Sequence, residues 1–316
     1  MEDTVSVHSP GYKPIIISGY TTVFQAVLGM FPFIESILSL CGFCDEVVVM
    51  DGESTDGTVE AIQELMKTHP QIRLLQNKYE ADFPLMDGSQ KQLARMACQG
   101  RVVFQADCDE VVHEKDYKPL RDLAMLITKE TPVIWLPVLN LAGSEQRADV
   151  SGNPTKWRMS WNHRNWGHGV VAAARRALPN GLPYSALTDG CEWVSLPEGE
   201  PLEGAGFLRR TNGDPVSMSM EIKSASIQMP IIWHYSTYSF ERKARLWQRF
   251  WRHQWETIRQ GPAMENEQWS RLLPTDPTDQ DFKEAARKAM LEAKTYDISW
   301  AKPPAIMRKW CSQWKE

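Results

Sequence analysis

Short apolar runs recur along the first 140 residues, separated by stretches of helical period. Pro14 to Ser18 (PIIIS), a β-branched run, Asp45 to Met50 (DEVVVM), Ile72 to Leu75, Val102 to Phe104 and Val133 to Leu139 (VIWLPVL) are short and largely apolar, so each predicts a strand. Gly19 closes the first of them in this reading. Between the strands, Phe33, Ile34, Ile37, Leu38 and Cys41 follow i, i+3, i+4 spacing behind Pro32, a residue suited to the first helical position. Val59, Ile62, Leu65 and Met66 share a face in the same way, as do Leu120, Leu123, Ala124 and Ile127. Ser89-Gln90-Lys91-Gln92 has the form of a capping box and opens a helix that Gly100 ends. Strand, helix, strand, helix, strand over 14–75 is the order of a parallel sheet covered by helices. Ligands of such sheets sit at the carboxyl ends of the strands, where the loop 51–58 and the acidic run after Phe104 both fall.

From 142 to 230 the periodicity fades and Gly, Pro, Asn and Trp become frequent, which predicts a loop-rich half that builds a specific binding surface. Trp157-Arg158 and the stretch from Trp161 to Gly169 interleave aromatic and cationic groups, suited to stacking on sugars or bases and equally to ordinary Arg–Trp packing. Pro230 to Tyr235 (PIIWHY) predicts another strand. Ser239 to Gln260 predicts a long helix with Leu246, Trp247, Phe250, Trp251 and Trp255 in one stripe and Arg242, Lys243, Arg245, Arg249 and Arg252 beside it. Such a helix can lie on a membrane surface or dock its stripe on the core. A last helix is expected over 277–294. The organisation is then a nucleotide-binding half at 1–130, an acceptor-binding half at 131–238 and a helical extension at 239–316.

The candidate chemistry is concentrated in Arg101 to Glu114 (RVVFQADCDEVVHE), where a buried strand runs into Asp107, Asp109, Glu110 and Glu114. A carboxylate at the end of a buried strand loses hydration unless something positive compensates. If the stretch stays extended, Asp107 and Asp109 leave the same face and Cys108 turns away, and two hard oxygen donors at that spacing suit Mg²⁺ or Mn²⁺. The same letters also describe a solvated acidic turn. Lys91, in the first turn of the preceding helix, is within reach of a phosphate or is a plain surface lysine.

Composition narrows the setting. A chain of 316 residues with 42% hydrophobic content has ample core for one large or two modest domains. A net charge of −5 argues against a chain whose overall field attracts nucleic acid or acidic membranes. The polar N-terminus lacks a secretory pattern, no apolar run is long enough to span a bilayer, and the six cysteines are scattered, so a cytoplasmic setting with reduced thiols is expected. Cys41-Gly-Phe-Cys44 has redox or metal spacing but no second pair, which favours structural cysteines.

Taken together, VVVMDGESTDGT, the segment Gln90-Lys91-Gln92 before Gly100, FQADCDE and the late WHYS resemble glycosyltransferase family 2, the nucleotide-sugar transferases of GT-A fold, over about residues 14–240. The fold so implied is α/β, a Rossmann-like mixed but mostly parallel sheet flanked by helices. The resemblance places Asp51, with Ser18 and Tyr20 of the ISGYT strand, around the nucleotide, Lys91 and Asp107 on the donor, and Asp107, Asp109 and His234 on the metal. The sequence departs from the family in Gly52, where a second Asp is usual, in Gln90-Lys91-Gln92, where Ala-Arg-Asn is usual, and in lacking a clear Glu-Asp motif.

The implied activity is Mn²⁺- or Mg²⁺-dependent transfer of a sugar from a nucleoside diphosphate sugar, UDP favoured, to an acceptor hydroxyl with inversion. Inversion by one displacement needs a general base. Candidates are Asp189, Glu192 and His168, with Asp189 preferred because it precedes a glycine turn. The acceptor is open between glycan, lipid-linked sugar, protein and modified nucleic acid. A noncatalytic nucleotide-sugar or glycan-binding protein is the alternative from another class. A nucleotidyltransferase would need a basic glycine-rich loop near the first strand, and an oxidoreductase a Gly-x-Gly-x-x-Gly; Ser18-Gly19-Tyr20-Thr21 is neither.

Overall fold

The computed structural model describes residues 15–79, 86–127, 133–149, 155–162, 191–195, 206–210, 230–246, 274, 277–292, 295–299 and 301–314. The first half forms largely as the periodicity predicts, except that the helix expected to open at Ser89–Gln92 already begins at Met86, which puts Lys91 beyond its first turn. Strands β1 (Ile17–Val23), β2 (Glu46–Asp51), β3 (Ile72–Gln76) and β4 (Val102–Gln105) pair in parallel in the order β4-β1-β2-β3. Helices α1 (Phe33–Cys41), α2 (Thr58–Met66) and α3 (Met86–Ala97) connect them, and α4 (Tyr117–Leu126) follows. Ile17, Val23, Val47, Val49, Val102 and Phe104 form one core with α1 and α4. Tyr20, Val48, Met50 and Val103 pack with Ala94 and Cys98 on the opposite face, as the two-residue alternation of a strand requires.

The first strand lies further along the chain than the apolar run suggests, and it passes through Gly19 instead of stopping there. A Cβ on Gly19 would lie 3.0 Å from Cys44 Sγ and 3.4 Å from Leu40, so the glycine lets α1 and its following turn close onto the strand. That contact also accounts for Cys44, a buried free thiol in the core.

Beyond β4 the sheet becomes largely antiparallel. Strands β6 (Val133–Ala142), β7 (Arg147–Asp149) and β8 (Thr155–Trp161) extend it, with β8 joined antiparallel to β4. A short β5 (Glu110–Val112) pairs with β11 (Ile232–Thr237), which also runs parallel to β6. Two further strands, β9 (Cys191–Ser195) and β10 (Gly206–Arg210), make a separate hairpin. The half expected to be loop-rich therefore supplies several strands. Three of these strands, β7, β9 and β10, have three to five residues, too few for an alternation to show in the sequence.

The C-terminal part is not purely helical. Helices α5 (Phe240–Leu246) and α6 (Asp279–Glu292) pack together, and β12 (Thr295–Asp297) adds to the sheet edge beside β7. A 3₁₀ turn and helix α7 (Arg308–Ser312) then bring Met307, Trp310 and Cys311 onto Val111, Trp233, Tyr235 and Tyr238. Glu114 fixes this return by accepting from Ala305 N at 3.2 Å and Ile306 N at 2.9 Å. Among the described residues, no helix is long and apolar enough to cross a membrane.

The loop 51–58 is tied to the turn after β1. Thr58 Oγ1 accepts from Ala26 N (2.9 Å) and Val27 N (3.2 Å), Ser54 Oγ from Gln25 N (2.8 Å), and Asp56 Oδ2 from Leu28 N (2.6 Å). The Ser-Thr-Asp-Gly-Thr letters thus hold an irregular turn whose amides have no strand partners. Thr58 is fully buried, so Thr58→Val keeps the shape and strands both amides. A loss of about 2 kcal/mol is expected from denaturant midpoints at constant slope.

Candidate active site

Asp51 ends β2 at the carboxyl edge of the parallel strands and is fully buried. Its Oδ2 accepts from Ser54 N (2.9 Å) and Gln76 Nε2 (3.3 Å), while Oδ1 is buried without a hydrogen-bond partner. A buried carboxylate oxygen left open at a strand end is suited to accept an N–H from a ligand. Next to it, Phe24 and Tyr79 stack with centroids 4.4 Å apart. A Cβ on Gly52 would lie 2.8 Å from both Phe24 Cδ2 and Tyr79 Cβ, so no aspartate fits there. The aromatic pair explains this departure from the family pattern.

The acidic run is not extended. Glu110 N donates to Asp107 O at 2.9 Å, closing a turn over Asp107–Glu110 that gives the carboxylates different neighbours. Asp107 Oδ1 meets Lys91 Nζ at 2.7 Å and Gln105 Nε2 at 2.9 Å, and Oδ2 meets Arg158 Nη2 at 3.0 Å. The same Arg158 nitrogen reaches Glu110 Oε1 at 2.5 Å, and Glu110 Oε2 accepts from Asp107 N at 3.1 Å. Cys108 packs against the main core. Lys91 is therefore a partner of Asp107 in the described structure.

Asp109 is buried and faces His234, with Nε2 at 3.4 Å from Oδ1. His234 sits on β11 opposite Glu110 of β5 and Asn140 of β6. Its Nδ1 lies 2.8 Å from Asn140 Oδ1, an acceptor, so this nitrogen donates and Nε2 is left toward Asp109, donating to the carboxylate in the imidazolium form and offering a lone pair only where a cation lies between them. An imidazole held by one nitrogen with the other aimed at a carboxylate is the arrangement of a metal-binding histidine. Among the described residues, no three His, Cys, Asp or Glu side chains form a metal-holding group. Asp109 and His234 fit as two protein donors to a hard divalent ion whose other positions a diphosphate and water would fill; Asp107 is occupied by cations.

Ser18 and Tyr20 stand elsewhere. Ser18 lies near the amino end of β1, where its Oγ donates to Glu46 Oε2 (2.5 Å) and accepts from Gly100 N (2.7 Å). Glu46 also pairs with Arg73 and accepts from Gln99 N at 2.8 Å, a network that joins four chain segments below the site. Tyr20 is fully buried beside Arg95, and its burial keeps the phenol protonated. Both act in the sheet core in this structure. Asp189 and His168 lie outside the described residues, and Glu192 falls on β9, of which only the backbone is described.

Two basic residues were not assigned to the site by sequence reasoning. Arg158, noted only as a neighbour of Trp157, bridges Asp107 and Glu110; the signal available was an arginine set between Trp157 and Met159. Arg242 of the basic helix is fully buried, donating to Met30 O (3.0 Å), Tyr235 O (3.2 Å) and Ser236 O (2.7 Å), with Phe31 and Trp310 against its guanidinium. Membrane contact through 239–260 gains no support from α5, and 247–260 lie outside the described residues.

Burial by itself would raise the Asp109 carboxyl, but His234 and Arg242 outweigh it and bring it down to about 2, against the opposing charge of Asp107. The charged form is thus the stabilised one. For a depressed carboxyl the contribution is complete above the unfolded value and is lost as pH falls through the folded one. The stability difference between wild type and Asp109→Asn should therefore be largest at neutral pH, about 2 kcal/mol, and shrink between pH 4 and pH 2. Urea midpoints across that range measure it.

Residues 32–125 match the family model described as Glycosyl transferase family 2. The match contains Asp51, Lys91, Asp107 and Asp109 and ends before His234 and the candidate bases. No curated protein matches the chain. Among solved structures, S. aureus TarS aligns at 18% identity over 47% of this chain and 28% of that one, with a TM-score of 0.33. The 1–349 form of TarS in complex with UDP-GlcNAc aligns at 21% identity over 42% and 36%, with a TM-score of 0.32. The mannosyltransferase PcManGT from Pyrobaculum calidifontis, in complex with GDP-Man and Mn2+, aligns at 12% identity over 99% and 83%, with a TM-score of 0.37. The chain spans less than two thirds of the length of the TarS chains it matches.

Proposed function

We propose, from the match of residues 32–125 to the model of glycosyl transferase family 2, that this chain transfers a sugar from a nucleoside diphosphate sugar to an acceptor hydroxyl. The observation that carries the reading is the pairing of Asp109 with His234 at the edge where Asp51 leaves a buried oxygen open. Asp51 receives an N–H of the base, which favours uracil. Asp109 and His234 hold Mn²⁺ or Mg²⁺, which supplies positive charge to the departing diphosphate. Arg158 keeps Asp107 and Glu110 in place, so the turn that carries Asp109 is rigid before the donor arrives. Lys91 lies on Asp107 with its ammonium ready to exchange one anion for another.

The acceptor proton needs a base, and Asp189 keeps that role in the proposal, ahead of Glu192 and His168, with inversion at the anomeric carbon. Asp189→Asn should lower turnover by more than about a hundredfold while donor affinity stays within twofold. A loss of tenfold or less removes Asp189 from the role.

The reading as a whole is tested by thermal shift with UDP, GDP, CDP and TDP, with and without Mn²⁺, on wild type and Asp109→Ala. One diphosphate should raise the melting temperature of the wild type only with metal, by mass action on the native state, and the variant should lose that gain. No shift by any diphosphate at millimolar concentration would favour a binding protein for glycans over a transferase.

A further inference from the structure

Helix α5 begins three residues after β11 ends, so its first turn lies over the strand that carries His234. Ser239 accepts Lys243 N at 3.0 Å through its carbonyl and Arg242 N at 3.4 Å through Oγ, and so orients both cations. Arg242 is locked beneath: its Nε and Nη1 are spent on backbone carbonyls of Met30, Tyr235 and Ser236, and Nη2 is buried without a hydrogen-bond partner. Lys243 is only half-buried. Its Nζ folds back to Ser236 Oγ at 3.0 Å, two residues beyond His234, while Tyr235 N donates to Asp109 O at 2.8 Å. One strand end thus ties Asp109, His234 and Lys243 to a common frame.

The electrostatics agree with an anion at this place. Burial and the adjacent Arg242 guanidinium bring the Lys243 ammonium down to about 8, with Asp109 opposing them. A cation that its surroundings disfavour gains when a phosphate arrives beside it. Arg242 cannot reach a ligand, being fully enclosed, but its fixed charge acts on the same volume.

We propose that Lys243, poised on Ser236 beside the Asp109–His234 pair, contacts the diphosphate of the donor and holds its charge as the sugar leaves. The inference rests on the transferase reading above and names a residue that reading does not use. It gives the first turn of the basic helix a task inside the site, since an enclosed guanidinium lies behind an ammonium that would exchange the Ser236 hydroxyl for a phosphate oxygen.

The test measures UDP, UMP and uridine binding to the full chain with Mn²⁺ by calorimetry, in wild type, Lys243→Met, Lys243→Arg and Ser236→Ala. Lys243→Met should weaken UDP by about tenfold or more and leave uridine within twofold, with UMP between. Lys243→Arg should recover most of the loss, and Ser236→Ala should weaken UDP by about threefold. A merely structural lysine would lower the three affinities together. Equal UDP affinity in wild type and Lys243→Met overturns this assignment and leaves the transferase reading standing, whereas a wild type that binds none of the three and no GDP, CDP or TDP overturns both. If Lys243→Met does not fold, the Arg and Ala variants decide: UDP-to-uridine ratios equal to wild type in both reject the contact.

Discussion

The structure depends on how the charge of the turn at Asp107–Glu110 is compensated. A buried parallel strand ends there in three carboxylates, two of them nearly inaccessible, and each loses hydration that only cations or hydrogen-bond donors can replace. The compensation comes from remote segments: Lys91 from α3, Arg158 from β8 and His234 from β11. Each carboxylate therefore fixes the position of an element that is distant in sequence. The antiparallel half of the sheet joins the parallel half where these contacts form, through β8 on β4 and β11 on β5.

A second constraint acts on the opposite side of β1. The turn 24–30 has amides without strand partners and positive φ at Gln25 and Met30. Side chains of the loop 51–58 satisfy those amides from one direction, and Arg242 takes the Met30 carbonyl from another. The carboxyl edge of the sheet is thus framed by two irregular segments held by polar side chains rather than by ladder hydrogen bonds. Rigid irregular backbone around an open carboxylate oxygen is a physical basis for ligand recognition at Asp51.

The C-terminal return closes the frame. Trp310 contacts Tyr235, Tyr238 and Trp314 and lies over Arg242, so the last segment packs against the strand that carries His234. Glu114, four residues beyond Glu110, holds the 3₁₀ turn that starts this return. A residue counted with the acidic cluster by its place in the sequence is, in three dimensions, a cap for a distant helix.

The sequence by itself determined the parallel half: the apolar runs and helical spacings between Ile17 and Leu126 predict its strands and helices, because each is a local pattern of burial. It also marked Asp107 and Asp109 as carboxylates at the end of a buried run, whereas the weight on Asp51, Lys91 and His234 came from the resemblance to a nucleotide-sugar transferase family. The antiparallel strands β5, β7, β8 and β12 were not legible, since they are short and owe their existence to partners far along the chain. Tertiary structure alone decided that the turn separates Asp107 from Asp109, that Arg158 bridges Asp107 to Glu110, and that Ser18 and Tyr20 belong to the sheet core. It also turned Arg242 inward from a helix whose composition suggests a surface. Charge pairing between remote segments carries no local period, so sequence shows that a buried charge needs a partner and only the packed chain shows which one it has.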